Sequence, residues 1–166
     1  MIANRAPKVV VAGFGSEDRH DDGVGPIVAE RVVAEMPDSN NVGPLSDPLD
    51  LLGVWNNADL VVVVDAVASG APIGTVRVLE VDVAGLSQFE SDADPVVSLS
   101  STHGIGLAGV LRLARALGQA PRRLVVVGIE GERFDLGTGL SERVASATGD
   151  AVEQVVNLIR EAQLCA

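Results

Sequence analysis

Apolar residues recur along this chain with two different spacings. Val9 to Ala12, inside KVVVAGFG, form a short unbroken apolar run closed by glycine, which predicts a strand buried on both faces. From Val24 the spacing lengthens. Val24, Ile27, Val28, Val32 and Met36 recur every three or four residues, the mark of an amphipathic helix. Pro26 suits its start, where early N–H groups have no intrahelical partner. LVVVVDAV (60–67) predicts a central buried strand ending at Asp65, and RLVVVGIE (123–130) another buried strand. TVRVLEVDV (75–83) alternates imperfectly and predicts a strand with one wet face, reached through a Gly70–Gly74 turn. THGIGLAGVLRLARAL (102–117) predicts a helix that Gly118 ends, and Ser141 to Leu164 a C-terminal helix with Val144, Val152, Val155, Val156 and Ile159 on its apolar side. MPDSNNVGPLSDP (36–48) reads as turn with a short edge strand around Val42, followed by a short helix over Leu49 to Trp55. Residues 84–101 form a polar, acidic connection.

Strands alternating with helices imply an α/β fold: a three-layer, mostly parallel twisted sheet of about five strands with helices on both faces. The expected organisation is a single α/β domain over residues 1–166. Aromatics make up only 2% of the chain against 47% apolar residues, so Val, Leu, Ile and Ala must build the core. The formal net charge of −11 repels phosphate backbones and anionic lipid, which argues against nucleic acid and membrane surfaces as partners. No stretch reaches the roughly 18 apolar residues of a membrane span, MIANRAPK has no apolar signal core, and Cys165 has no second cysteine to pair with. The expected location is cytoplasmic.

Charge is concentrated in one place. Glu17, Asp18, Asp21 and Asp22 arrive with His20 within six positions, just beyond the first strand. Such crowding costs repulsion and desolvation, so either a cation or cationic partner sits there or the loop is solvated. Ligands of open α/β sheets bind outside the carboxyl ends of the strands. Asp21 and Asp22 follow the first strand, Asp65 ends the central one, and His103 opens the helix after the acidic connection. A carboxylate of the Asp21–Asp22 pair, Asp65 and His103 make an O/O/N set suited to a divalent transition metal with open coordination positions.

Structural readings compete with this. Asp22 sits where helix caps sit, Asp65 could be a structural acid, and His103 could be a solvated residue at a helix start. His20, Glu17 and Asp18 read as a solvent-facing loop, and Glu90, Asp92 and Asp94 as charged surface. GFG (13–15) does not continue into G-x-G-x-x-G, since position 18 is Asp, and acids line the place for a pyrophosphate; no nucleotide cofactor is expected. No G-x-S-x-G elbow is present, Ser98, Ser100 and Ser101 have no evident positioning partner, and Cys165 is too terminal for a nucleophile.

Four blocks resemble the nickel–iron hydrogenase maturation endopeptidases, in the family's order: VVVAGFGSEDRHDDGVGPIVAERV, LVVVVDAV with G-x-P-I-G-T-V, STHGIGLAGVLRLARALG, and LVVVGIEGERFDLGTGLSERV. The resemblance implies a compact α/β protease that trims a C-terminal peptide from a hydrogenase large-subunit precursor after nickel insertion. The family's metal-contacting and catalytic positions fall on Asp22 in HDDG, Asp65 in VVDA and His103 in STHG. Nickel would arrive with the substrate. The chain departs from the family at Ser16, where Asn is usual, in the charged EDRH loop, and in GPLSDPLD (43–50), which replaces a Gly-Gly-Thr stretch that helps contact the substrate. Two other functions fit the same residues: a non-catalytic nickel-sensing chaperone for the large subunit, and a zinc hydrolase of a small molecule with Asp22, Asp65 and His103 as resident ligands.

Overall fold

Valine-rich strands pair side by side in a sheet of five, in the order β2-β1-β3-β5-β4. A computed structural model of the protein describes residues 5–37, 43–84 and 106–165. Its elements are β1 (Val9–Phe14), a 3-10 turn (His20–Gly23), α1 (Val24–Glu35), β2 (Gly43–Leu45), a second 3-10 turn (Pro48–Asp50), α2 (Leu51–Val54), β3 (Leu60–Val67), β4 (Val76–Val81), α3 (Leu107–Ala116), β5 (Leu124–Glu130) and α4 (Glu142–Leu164). All pairings are parallel except β4 with β5. The acidic connection, with Glu90, Asp92 and Asp94, lies outside the described residues, as do Val42, Ser98, Ser100, Ser101 and His103.

Alternate residues of the central strands enter two cores. Val9, Val11, Leu60, Val62, Val64, Val125, Val127 and Ile129 pack with α1 and α4, while Val10, Ala12, Phe14, Val61, Val63, Leu124 and Val126 pack with α2 and α3. That is the period-two alternation of a sheet covered on both faces. Burying each Val or Leu side chain contributes about 1.5–3 kcal/mol, so these two aliphatic layers hold the sheet without aromatic mass. No described helix is long and apolar enough to cross a membrane.

The strand order matters for the site. From β1 the chain runs through α1 to β2 on one side, and its next central strand, β3, lies on the other side of β1. The C-terminal edge between β1 and β3 is thus a topological switch point, where connections diverge and leave a crevice. The helix α1 begins directly against this edge. A Cβ on Gly25 would run into the Phe14 and Val64 carbonyls, so only glycine lets the helix start seat on both strands.

Candidate functional site at the β1–β3 edge

Beyond β1 the backbone turns at Gly15, whose φ of 125° belongs to the left-handed region and whose Cβ would overlap the Asp22 carbonyl. The turn brings Ser16 back over the 3-10 turn, and its N–H donates to Asp22 Oδ2 at 2.8 Å. Asp22 is 2% exposed. It does not cap α1: Gly23 holds the N-cap position and no side chain bonds there. The Asp-Asp pair looked like a cap in the sequence because it precedes a helix. The intervening 3-10 turn instead aims both carboxylates elsewhere.

Asp65 is the single position of β3 that is not fully buried. Val61 and Val63 lie in the α2/α3 core, and two-residue alternation puts Asp65 on that same face, at the outer end. Its lateral neighbour on β5 is Gly128, which offers no side chain there. The Asp65 carboxyl is pushed well above the usual carboxylate range, first by burial and then by the charge of Asp22; a hydrogen bond from the Ala66 N–H acts the other way without cancelling them. The 3-10 turn that carries Asp22 packs against β3. Two of the three sequence candidates thus meet at the switch point. The third, His103, lies outside the described residues, three positions before the Gly106 N-cap of α3. Among the described residues alone, no group of three or more His, Cys, Asp and Glu could hold a metal ion.

Asp21, one residue earlier, has a different fate. It is 0% exposed, and its oxygens accept from Glu132 N–H at 2.9 Å, Arg133 N–H at 3.0 Å, Ser141 N–H at 2.7 Å and the Ser141 hydroxyl at 3.0 Å. Burial alone would raise its pKa, but the N–H groups of Glu132, Ser141 and Arg133, with the Ser141 hydroxyl, together pull it below the ordinary value. All of these donors belong to the segment joining β5 to α4. The same segment receives the Arg19 guanidinium on the Phe134 carbonyl, and a backbone bridge joins Arg19 to Gly137.

His20 is not the free solvent-facing residue the charged loop suggests: it is half-buried. Its side chain is 12% exposed. Nδ1 lies 3.0 Å from the Gly139 carbonyl and Nε2 lies 2.9 Å from the Arg133 guanidinium, so Nδ1–H donates while Nε2 accepts. The charged pattern of residues 17–22 concealed a loop-to-loop lock. Glu17 and Asp18 are exposed, as expected. Glu130, an acid that sequence reasoning passed over, is 2% exposed at the end of β5 and accepts from Ser69 N–H, Ser69 Oγ and Gly70 N–H, fixing the turn between β3 and β4.

Known proteins resemble this chain in sequence and fold. The profile of the hydrogenase maturation protease family matches residues 46–158. The hydrogenase 2 maturation protease of Escherichia coli (strain K12) is 29% identical over 164 residues, covering 93% of this chain and 92% of that protein. The hydrogenase expression/formation protein HupD of Thiocapsa roseopersicina is 28% identical, covering 93% of this chain and 69% of its own length. The solved structure of the hydrogenase maturating endopeptidase HybD from E. coli superposes with a TM-score of 0.70 at 27% identity, covering 93% of each chain. The [NiFe] hydrogenase maturation protease HybD from Thermococcus kodakarensis gives a TM-score of 0.69 at 25% identity, covering 92% of this chain and 99% of that one. The chain, with its five-stranded open sheet and its paired acids at the switch point, belongs to the hydrogenase maturation protease family.

Proposed function

We propose that this protease, acting in the cytoplasm, removes a C-terminal peptide from the nickel-loaded large-subunit precursor of a nickel–iron hydrogenase, and that Asp22, Asp65 and His103 recognise the nickel the precursor carries. The observation that carries this reading is the crowding of Asp22 and Asp65. Asp65 faces a like charge and burial, and among the described residues the Ala66 N–H opposes its upward shift without cancelling it. A divalent cation would offset both costs at once. Nickel is here part of the substrate, held by the precursor's own cysteines, and no nucleotide cofactor takes part.

In this mechanism the two carboxylates and the imidazole complete the coordination of the incoming ion, and the scissile peptide is positioned by that contact. Asp22 takes a proton from the attacking water as the new C–O bond forms. The C–N bond then breaks, and the proton passes to the leaving amine. An acid site without its cation has no such geometry, so maturation of the metal centre becomes the condition for cutting.

Purified protein incubated with nickel-loaded and nickel-free precursor, followed by mass spectrometry, tests the reading. The expected result is loss of the C-terminal peptide from the loaded form alone. Equal cutting of both forms would end the proposal.

A further inference from the structure

The mechanism uses Asp22 and leaves unexplained the carboxylate beside it. Asp21 spends both oxygens on four donors, all from the β5–α4 segment, and its own N–H donates to the Arg133 carbonyl at 2.9 Å. Asp22 is held more lightly, by the Ser16 N–H on one oxygen and by a 3.2 Å bond from its own N–H to the Arg19 carbonyl. Yet Asp22 is the residue that must stay beside Asp65 while no cation is present to offset their repulsion. One further detail sets Asp21 apart from an ordinary structural acid. Ser141 occupies the N-cap of α4 but makes no capping bond; its hydroxyl donates to Asp21 instead. A serine at that position ordinarily stabilises the helix end, and here that contribution is forgone in favour of the acid.

We infer that Asp21 is a positioning residue: clamped by the β5–α4 segment, it braces the 3-10 turn so that Asp22 stays at the β1–β3 edge against the charge of Asp65. The clamp is continuous. Arg19 bonds the Phe134 carbonyl, His20 bonds Gly139 and Arg133, and Asp21 bonds Glu132, Arg133 and Ser141, so three successive residues ahead of Asp22 are tied to the same segment. Asp21 is the buried member of the three and the only one whose side chain takes backbone N–H groups. An Asn in its place would offer a single acceptor oxygen and leave at least one of the three N–H groups facing an amide NH2. The 3-10 turn would then relax away from β3, and the reacting geometry would lose its alignment; misplacement of about 1 Å costs up to about 100-fold in rate.

The inference rests on the proposed nickel-dependent cleavage, and its test separates the two. Steady-state cleavage of nickel-loaded precursor is measured well below the melting temperature for wild type, Asp22→Asn, Asp21→Asn, Ser141→Ala and Ile159→Val, the last a core truncation on α4 remote from the 3-10 turn. Asp21→Asn is expected to lower kcat at least ~10-fold with a much smaller rise in KM, since Asp65 and His103 still engage the ion and it is chiefly alignment that is lost. Ser141→Ala, which removes one donor and no helix cap, should lower kcat by about threefold in the same pattern. Ile159→Val should lose thermal stability and keep its kcat. Wild-type kcat in folded Asp21→Asn, an unchanged kcat in Ser141→Ala, or an equal loss in Ile159→Val overturns the positioning role. Should Asp21→Asn fail to fold, Ser141→Ala decides alone. Absence of cleavage by the wild type instead overturns the proposed function.

Discussion

Asp21, fully buried, and Asp65, half-buried on β3, lie close to the same switch point, and folding shifts their pKa values in opposite directions. Asp21 is surrounded by backbone and hydroxyl donors supplied by a segment that lies more than a hundred residues away in sequence. Among the described residues, Asp65 has one opposing N–H and a neighbouring negative charge. Burial penalises the charged form of each, so the sign of the net shift is decided by what else is enclosed with the carboxylate. A donor-saturated acid reads as architecture, because its energy is already minimised in the folded chain. An acid left short of donors beside another acid reads as function, because a partner from outside is what completes it.

The largest expected effect comes from touching the unsatisfied pair. Asp22→Asn should lower precursor cleavage by about 10²–10⁴-fold, the range for losing a positioned general base, while the folded protein remains intact by circular dichroism. Retained cleavage would mean that the crowded pair is not the reacting site.

Stability should separate the two regions next. Asp21→Asn leaves part-buried donors facing an amide NH2 and should cost about 1 kcal/mol, seen as a fall in the urea midpoint at neutral pH. Asp65→Asn removes a carboxylate whose ionisation is disfavoured by folding, so it should leave the midpoint unchanged or raised, while cleavage should be lost. A destabilised Asp65→Asn protein would contradict the view that this acid is held at a cost.

The pH dependence carries opposite signs. The folded value of Asp21 lies below the ordinary 3.8, so its contribution is present above that value and disappears as the pH falls through the lowered one. Asp65 has a folded value above 3.8, so its contribution is present below 3.8 and is lost as the pH rises through the raised value. Thermal unfolding scanned across acidic pH should therefore show Asp21→Asn flattening the limb below about 4 and Asp65→Asn flattening the limb above it. Identical profiles for the two variants would erase the distinction.

The smallest effect belongs to an exposed acid with a good partner. Glu80 is drawn below its ordinary value by a forked hydrogen bond from Arg123, at 2.8 and 3.2 Å, yet both side chains face solvent. Glu80→Gln should change stability by no more than about 0.5 kcal/mol, and less in high salt. Donors matter more at Asp21 because its carboxylate is itself buried.

Much of this was readable along the chain. The valine runs fixed the buried strands: β3 occupies the whole of LVVVVDAV, and α4 begins one residue after the Ser141 expected to open it. Position alone led to the Asp21–Asp22 pair just beyond β1 and to Asp65 near the end of β3, since parallel neighbouring strands end at one sheet edge. Asp21 could not be told from Asp22, because what distinguishes them is a set of backbone N–H groups at 132, 133 and 141, and main-chain donors leave no mark in residue identity. His20 was misread for a related reason: its partners are a carbonyl at Gly139 and a guanidinium at Arg133, both brought in by tertiary folding. The one available signal was the glycine-rich EGERFDLGTGLS, whose glycines at 137 and 139 take φ values of 150° and 88° that let the segment fold back on the 3-10 turn.

Nickel X-ray absorption on the loaded precursor, alone and bound to the Asp21-intact, cleavage-deficient Asp22→Asn protein, is the most direct test of the central claim. Binding should add oxygen or nitrogen scatterers, from Asp65 and His103, to the thiolate shell around the ion. A sulfur shell unchanged on binding would contradict it.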